Sequence, residues 1–373
     1  MALGVYPELV EGFTQPARRR KHRINAFKLK DSVTLVRSFC QREPVYLRLM
    51  QYFSTFVVGF EDIVRDVLKD FEIETMFSGA VLYRIDTDAE RIGTDVFNNT
   101  FQVLHYFKRI QPGALPGMMK FVYNSNWMEK NFLPTIKGAN TFRVVASCEN
   151  EIGAVDDNIL KNAEVAIAEE TGLTLDRGKP DMEYWFLERS EGVGFFMMRL
   201  TYKKSEKRLE PGELRPELSN LLVLLSEPEN GDVFLDPFAG GGSIPRARKE
   251  FPYKKIYVSD IEKDIEIKAM NVDVQKADAT KLTHIADASI DKIVTDPPWG
   301  LAAETEIEPL YRGMLKEFGR VLKNGGVAVV LTSRKLMMEK LLPQFPQFKL
   351  EKNYNVLVNG KKAGVFKLVK SAS

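Results

Sequence analysis

Cysteine and histidine are scarce in this chain of 373 residues, which holds two cysteines and three histidines. The cysteines, Cys40 and Cys148, are too few to build a disulfide framework. The histidines, His22, His105 and His284, form no cluster with the spacing of metal ligands. Both shortages argue against a disulfide-stabilised secreted domain and against a metalloenzyme.

Long apolar runs are also missing. No stretch of about 18 consecutive apolar residues occurs, and the N-terminus lacks the apolar segment of a secretory signal. We therefore expect no membrane partner and a cytoplasmic location. The length allows two or three domains, each with its own core.

Positive charge is concentrated at one end of the chain. Residues 1–49 hold ten Lys/Arg against four Asp/Glu, a net charge of about +6, and the whole chain is only +2. Residues 50–373 are therefore slightly acidic, so any nucleic-acid surface there must be a local patch. The basic leader 1–49 is a tail that contacts RNA, an unstructured extension, or a segment upstream of a natural start at Met50.

The chain after the leader divides into an N-terminal region 50–205, a linker 206–217 and a C-terminal domain 218–373. In the first region, apolar spacing predicts an α+β arrangement without regular βαβ units. We expect strands at 52–58, 79–86, 141–147, 182–188 and 192–202, and helices at 60–71, 97–110 and 158–172. The proline-containing stretch around the linker is either a solvated connection or a positive patch formed by Lys203, Lys204, Lys207, Arg208 and Arg215.

The C-terminal domain has the repetition of a parallel, doubly wound α/β sheet. A helix at 217–226 precedes short apolar runs at 232–236, 255–260, 274–278, 291–296 and 325–333, and helices are expected between them. The segments 348–358 and 363–370 flank the turn "NGKK" and read as an antiparallel hairpin that closes the sheet.

Four predicted strands of this sheet end in an acid. The first leads into the glycine loop "LDPFAGGGS", residues 235–243, where Asp236 disfavours a pyrophosphate and favours a ligand with a cationic amino group and a sulfonium. Asp260 follows the second strand, where a carboxylate accepts hydrogen bonds from ribose hydroxyls, and Asp278 follows the third, where it can accept from an adenine amine. Asp296 ends the fourth, so the four carboxylates are expected along one edge.

The segment "TDPPWG", residues 295–300, makes the last strand exit rigid, because neither Pro297 nor Pro298 can donate a backbone hydrogen bond. A fixed Asp296 carboxylate and a nearby carbonyl can accept the two hydrogens of one flat amine, and Trp299 can stack on its ring. Taken alone, the six residues are equally a proline-rich turn with a buried tryptophan.

Together these motifs resemble the S-adenosylmethionine-dependent methyltransferases of the amino-group class. With "LRPELSNLLVLLSEPENGDVFLDPFAGGGS" and the region before it, the chain resembles more narrowly the THUMP-domain RNA guanine-N2 methyltransferases, over about residues 50–373. That resemblance implies a ferredoxin-like segment and a THUMP module that hold tRNA by its acceptor end, followed by a Rossmann-like methyltransferase domain. We also expect a monomer without a metal ion. The loop "FAGGGS" and Trp299 depart from the usual cysteine-containing loop and tyrosine.

The resemblance also assigns the site residues. The amine would meet Asp296, Pro297, Pro298 and Trp299. The cofactor S-adenosyl-L-methionine would contact Asp236, Pro237, Phe238, Gly240, Gly242, Ser243, Asp260, Ile261, Asp278 and Ala279.

The expected reaction is methylation of the N2 amine of a tRNA guanosine, at position 6 of the acceptor stem, giving N2-methylguanosine. Alternatives are an adenine-N6 or cytosine-N4 methyltransferase of RNA or DNA, an rRNA guanine-N2 methyltransferase, and a non-catalytic RNA-binding protein. Intact acids at all four strand ends argue against the last of these, although a fold alone does not prove activity.

Overall fold

The computed structural model describes residues 50–85, 94–148, 151–201, 213–262, 265–300, 304–358 and 360–371. The basic leader 1–49 and the linker residues Lys203, Lys204, Lys207 and Arg208 lie outside these ranges. Within them, two sheets follow one another along the chain, which agrees with an α/β domain preceded by an α+β region. No helix in this part of the chain is long and apolar enough to cross a membrane.

The N-terminal unit is built on a nine-stranded sheet with the order β2-β3-β1-β4-β9-β8-β5-β6, and β7 pairs with β5. Its strands are β1 Met50–Thr55, β2 Glu72–Phe77, β3 Ala80–Ile85, β4 Asn99–Lys108, β5 Thr141–Cys148, β6 Glu151–Ile152, β7 Thr174–Leu175, β8 Met182–Arg189 and β9 Val193–Arg199. Its helices are α1 Glu61–Val67, α2 Leu115–Asn124, α3 Trp127–Lys130 and α4 Asp157–Thr171.

This sheet curls, so side chains on one of its faces contact each other across strands that are not neighbours. The rings of Phe53 on β1 and Phe195 on β9 lie 4.7 Å apart, and the Arg189 guanidinium lies over the rings of Phe53 and Phe77. The other face of β5, β8 and β9 packs against α2 and α4 in a separate core. Both faces of this single sheet are therefore apolar and buried.

The helix expected over residues 97–110 is wrong, because β4 occupies Asn99–Lys108. Apolar residues such as Phe97, Phe101 and Leu104 recur there at a spacing that also fits a helix. The strand forms because β1 and β9 pair with it on both sides, and these long-range backbone hydrogen bonds override the local pattern.

The C-terminal unit is a seven-stranded sheet with the order β12-β11-β10-β13-β14-β16-β15. Its strands are β10 Val233–Asp236, β11 Lys255–Asp260, β12 Val272–Lys276, β13 Ile290–Thr295, β14 Leu322–Thr332, β15 Phe348–Val358 and β16 Lys361–Lys370. The first five are parallel, and β16 pairs antiparallel with both β14 and β15, which confirms the closing hairpin. Its helices are α5 Pro216–Leu225, α6 Ser243–Arg248, α7 Glu304–Val321 and α8 Lys335–Leu341.

Two details differ from the expected pattern. Helix α5 begins at Pro216, two residues before the predicted domain start, since proline is well suited to the first turn of a helix. Between β11 and β12, the described residues 261–262 and 265–271 contain no helix. The connection spans only eleven residues, which is short for a helical crossover between parallel strands.

The two units share one apolar core. The rings of Phe60, just before α1, and Tyr354 on β15 lie 5.5 Å apart, and Leu218 and Leu222 of α5 belong to the same cluster. The Asn220 side-chain amide donates to the backbone carbonyl of Asp95 at 2.8 Å. The N-terminal unit therefore packs directly on α5 and on the β15–β16 hairpin.

Candidate active site

The carboxyl ends of β10, β11, β12 and β13 meet at one edge of the C-terminal sheet. Asp236 and Asp260 end their strands, Asp296 directly follows β13, and Asp278 lies two residues beyond β12. The strands are parallel and adjacent, so the predicted row of acids along one edge forms. Ligands of open α/β sheets bind at this edge.

Asp236 is fully buried beneath the glycine loop, whereas the sequence placed it at the mouth of the loop. Its Oδ1 accepts from the Thr295 hydroxyl at 2.7 Å and from the Phe238 amide at 3.2 Å, and its Oδ2 has no hydrogen-bond partner among the described residues. Burial raises the pKa of Asp236 to about 8, against the effect of these two donors and with a further contribution from Asp296 and Asp260.

The glycine loop is held in place by the next strand. The Gly240 amide donates to Asp260 Oδ2 at 2.9 Å, and Asp260 Oδ1 accepts from the Glu262 amide at 2.9 Å. Gly242, with φ +82°, turns the chain into α6 in a conformation that favours glycine. Asp260 therefore positions the loop, a role that the sequence did not indicate.

The predicted adenine-binding side is more open. Asp278 is exposed, and its Oδ1 closes a turn by accepting from the Thr280 amide and hydroxyl, both at 2.8 Å. Ile261, with 57% of its surface exposed, follows Asp260, and Ala279 is buried beneath the turn. The contacts of these residues with an adenine remain predictions.

The segment after β13 brings an acid and an aromatic ring together. The indole N–H of Trp299 donates to Asp296 Oδ1 at 2.7 Å, and within the described residues Asp296 Oδ2 has no partner. Burial raises the pKa of Asp296 to about 7, and the Trp299 hydrogen bond acts in the opposite direction. Pro297 is buried and Pro298 exposed. From the sequence we expected a stacking surface from Trp299, but not that its N–H would bond to Asp296.

A hydrogen-bond chain that the sequence did not reveal fixes this segment. The Tyr311 hydroxyl of α7 donates to the Pro298 carbonyl at 3.2 Å and lies 2.6 Å from the Thr332 hydroxyl at the end of β14. The Arg334 guanidinium donates to the Trp299 carbonyl at 2.6 Å and to the Gly300 carbonyl. Tyr311 and Thr332 are both fully buried. Buried polar groups need hydrogen-bond partners, and this requirement at a sheet edge was the signal available for finding the chain.

Gly300 closes the segment against α7. It has φ +63°, and a Cβ at this position would overlap the side chain of Ile307. A glycine is therefore required both by the backbone angle and by the close approach of the helix.

The residues at this edge fit S-adenosylmethionine. Asp236 Oδ2 and the Ser243 hydroxyl, which flank the glycine loop, are buried and have no hydrogen-bond partner in the described part of the chain. An unpaired buried polar atom is costly, so a ligand that supplies donors there is favoured. The nearby carboxylates of Asp260 and Asp296 favour a ligand that carries positive charge.

The described part of the chain contains no group of three or more His, Cys, Asp or Glu side chains that could hold a metal ion. The groups described at this edge include carboxylates, backbone amides and one indole ring.

Comparison with known proteins links this site to a family. A family model described as "RMKL-like, methyltransferase domain" matches residues 204–246 and 265–363. In fold, the chain is similar to the crystal structure of TrmN from Thermus thermophilus, with a TM-score of 0.66 over 86% of this chain and 99% of that chain, at 23% identity.

Three relatives match part of this sequence and carry related names. The tRNA (guanine(10)-N2)-dimethyltransferase of Methanothermobacter thermautotrophicus is 28% identical over 58% of this chain and 70% of the relative. The tRNA (guanine(6)-N2)-methyltransferase of Thermus thermophilus is 28% identical over 56% of this chain and 67% of the relative. The protein of Methanothermococcus thermolithotrophicus named "Probable tRNA (guanine(10)-N2)-dimethyltransferase" is 30% identical over 37% of this chain and 92% of the relative. On this evidence the chain belongs to the family of tRNA (guanine-N2)-methyltransferases.

Proposed function

We propose that this protein methylates the exocyclic N2 amine of a guanosine in tRNA, with S-adenosylmethionine as methyl donor, and forms N2-methylguanosine. The observation that carries this proposal is the Asp296 carboxylate, which is held by Trp299 through one oxygen and presents the other at the carboxyl edge of the sheet. Relatives that act on tRNA guanine N2 support the same substrate.

The cofactor side would be formed by the residues around the glycine loop. Asp236 and Ser243 would meet the methionine end, Asp260 the ribose hydroxyls, and Ile261 and Asp278 the adenine. The remaining predicted contacts are Pro237, Phe238, Gly240, Gly242 and Ala279. S-adenosylmethionine supplies an electrophilic methyl group on a sulfonium ion.

The amine of guanine is a poor nucleophile because its lone pair is delocalised into the ring. Asp296 Oδ2 would accept one N2 hydrogen and the Pro297 carbonyl the other, which holds the nitrogen with its lone pair toward the methyl group. The nitrogen becomes strongly acidic as its new bond forms, so Asp296 or water can take the proton. Rigid placement of both acceptors is the contribution of this chain.

A guanosine in a paired stem must leave the helix before it reaches Asp296. Flipping costs a few kcal/mol, and stacking on the Trp299 ring offsets part of that cost. The structure adds a condition, since the Trp299 ring must offer its face to the base while its N–H bonds to Asp296.

The N-terminal unit would hold the tRNA by its acceptor end, as its resemblance to a THUMP module implies. The position of the methylated guanosine is a finer question, because the relatives act at guanine 6 and at guanine 10. We propose position 6 in the acceptor stem, in a monomeric enzyme.

Mass spectrometry of nucleosides from unmodified tRNA, incubated with the protein and labelled S-adenosylmethionine, tests the function. We expect labelled N2-methylguanosine from the wild-type protein and none from Asp296→Ala, which should bind cofactor and tRNA nearly as well as the wild type. Labelled N6-methyladenosine or N4-methylcytidine in its place would overturn the proposal, as would near-normal turnover in Asp296→Ala. Mapping the label within the tRNA would decide between positions 6 and 10.

A further inference from the structure

The β15–β16 hairpin extends past the carboxyl edge of the sheet. The last described pair between β14 and β16 is Thr332 with Gly364, while β15 and β16 continue to pair up to Val358 with Lys361. Three further residues of strand correspond to about 10 Å at 3.3 Å per residue. The hairpin tip therefore stands beyond the edge at which Asp296 lies.

Hydrogen bonds connect this hairpin to the segment proposed to hold the target base. Arg334 donates to the Trp299 carbonyl at 2.6 Å, and its neighbour Lys335 donates to the Asn355 side-chain carbonyl at 2.7 Å. Asn355 pairs directly with Gly364 across the hairpin. The tip is thus only a few residues from the strand that borders the target segment.

The tip carries two positively charged side chains that form no ion pair with a described carboxylate. Lys361 and Lys362 are exposed, and neither has a carboxylate within 4.0 Å in the described parts of the chain. Lys335 is partly engaged by Glu339 at 3.7 Å. Residues 50–373 are slightly acidic overall, so any positive surface on them is local.

The surrounding charges restrict where a phosphate can lie. The carboxylates of Asp260 and, above about pH 7, of Asp296 repel an anion from the centre of the edge, whereas Asp236 with its pKa of about 8 adds negative charge only at higher pH. A nucleotide inserted toward Asp296 must keep its phosphates away from these carboxylates. On the β14 side, Arg334 is bonded to the Trp299 and Gly300 carbonyls, and the exposed lysines of the hairpin tip offer further positive charge.

The hairpin also borders the N-terminal unit. Gly59, just before α1, approaches the Asn355 carbonyl so closely that a Cβ would overlap it, and the Phe60 and Tyr354 rings lie 5.5 Å apart. An RNA held by the N-terminal unit and entering the site at Asp296 would therefore pass the hairpin.

We propose that the tip of the β15–β16 hairpin binds phosphates of the tRNA strand next to the flipped guanosine, through Lys361 and Lys362. This proposal rests on the proposed function and assigns part of its RNA-binding surface. The contact is electrostatic and independent of sequence, so it orients the strand and does not select the base.

The test compares Lys361→Ala/Lys362→Ala with the wild type in filter-binding titrations of whole tRNA over a range of salt concentrations. Loss of two phosphate contacts should weaken binding on the order of tenfold and flatten the slope of log affinity against log salt by about 1.4 to 1.8. The KM for tRNA should rise, while kcat at saturating tRNA and the affinity for S-adenosylmethionine should not change.

A matched control is Lys254→Ala/Lys349→Ala, which removes two exposed lysines at the opposite edge of the same sheet. Its salt slope should equal that of the wild type. An unchanged slope in Lys361→Ala/Lys362→Ala, or an equal loss in the control, would overturn the proposal. Because binding is measured without turnover, failure of the hairpin contact is distinct from failure of guanine methylation, which would appear as missing N2-methylguanosine in the wild type.

Discussion

Two opposing effects act on the pKa of Asp296. Burial raises the pKa of its carboxyl to about 7, while the Trp299 indole donates to it and favours the charged form. The proposed chemistry needs the carboxylate, because only the ionised group accepts an amine hydrogen without offering a proton of its own. Protonation state and activity are therefore linked at one residue.

Turnover should fall with decreasing pH below about 7. A raised pKa means that the carboxyl is protonated below that value, so single-turnover methylation should drop about tenfold for each pH unit under pH 7 and level off above it. The measurement is the rate at saturating cofactor and tRNA from pH 5.5 to 9, with tRNA affinity followed in parallel. A rate that stays flat through pH 7 would contradict the assignment of Asp296.

Trp299→Phe should separate the two roles of the indole. Phenylalanine keeps an aromatic face but removes the N–H, which lowers the pKa of Asp296 in the wild type. The acid limb of the rate profile should therefore move to higher pH, with activity near the wild-type level well above it. Trp299→Ala should also lose stacking worth about 1 to 3 kcal/mol, so its methylation activity should fall roughly ten- to a hundred-fold. An unshifted limb in Trp299→Phe would show that the hydrogen bond does not tune the acid.

At the scale of single residues, the sequence predicted which residue types lie at the site but not which hydrogen bonds they form. The strand-ending acids and the segment "TDPPWG" follow from a local pattern, and the structure places them at one edge. The bond from Thr295 to Asp236 joins residues 59 positions apart, and the burial of Asp236 depends on the packing of the loop above it. Such contacts depend on tertiary packing, which local patterns do not encode.

Among the elements, the segment from Asp296 to Gly300 is held by α7 and by the end of β14. Tyr311 and Arg334 together contact the carbonyls of Pro298, Trp299 and Gly300. These contacts leave little freedom for the neighbouring peptide planes, including that of Pro297. Two adjacent prolines supply stiffness from within the segment, and the flanking elements supply it from outside.

Tyr311→Phe should reduce turnover more than it reduces binding. The variant removes one hydroxyl that donates to the Pro298 carbonyl, a hydrogen bond worth about 0.5 to 1.5 kcal/mol, so kcat should fall by up to roughly tenfold with cofactor affinity unchanged. Tyr184→Phe is a matched control, because Tyr184 is also buried and donates to a proline carbonyl, that of Pro134, in the N-terminal unit. Equal losses of kcat in both variants would indicate a general effect on stability.

The elements also show where sequence patterns fail. Most of the elements for which bounds were predicted lie close to them, since apolar spacing records which face is buried, whereas β2 and α2 were not predicted. Residues 97–110 were predicted as a helix because their apolar spacing fits both periods, and pairing with β1 and β9 decides for a strand. The connection from β11 to β12 was expected to be helical by analogy with its neighbours, yet only eleven residues separate the strands.

Across the whole molecule, the two units meet through a continuous core and not only through a linker. The cluster that contains Phe60 and Val64 of the N-terminal unit also contains Leu221 of α5 and Val356 of β15. The same region carries the proposed RNA-binding hairpin. Docking of the units therefore fixes the distance between the region proposed to hold the acceptor end and the site proposed to modify it.

This docking can be tested at Gly59 without removing any side chain. Gly59 has φ +103°, and a Cβ there would overlap the Asn355 carbonyl of β15, whereas Gly231 has φ +101° and nothing within 4 Å of its would-be Cβ. Both Gly59→Ala and Gly231→Ala incur backbone strain of about 1 to 3 kcal/mol, but only the first forces the two units apart.

Gly59→Ala should therefore lower the Tm more than Gly231→Ala. It should also raise the KM for tRNA while leaving the affinity for S-adenosylmethionine unchanged, because the residues proposed to bind the cofactor lie on β10, β11, the start of α6 and the loops that follow β10, β11 and β12. Thermal unfolding, calorimetric titration of the cofactor and steady-state methylation of tRNA give the three readouts. Equal Tm losses in the two variants would mean that the contact between Gly59 and Asn355 yields without cost. A raised KM in both would trace the tRNA effect to strain alone. A larger loss in Gly59→Ala, confined to stability and tRNA, is the result expected if docking sets the geometry of the RNA path.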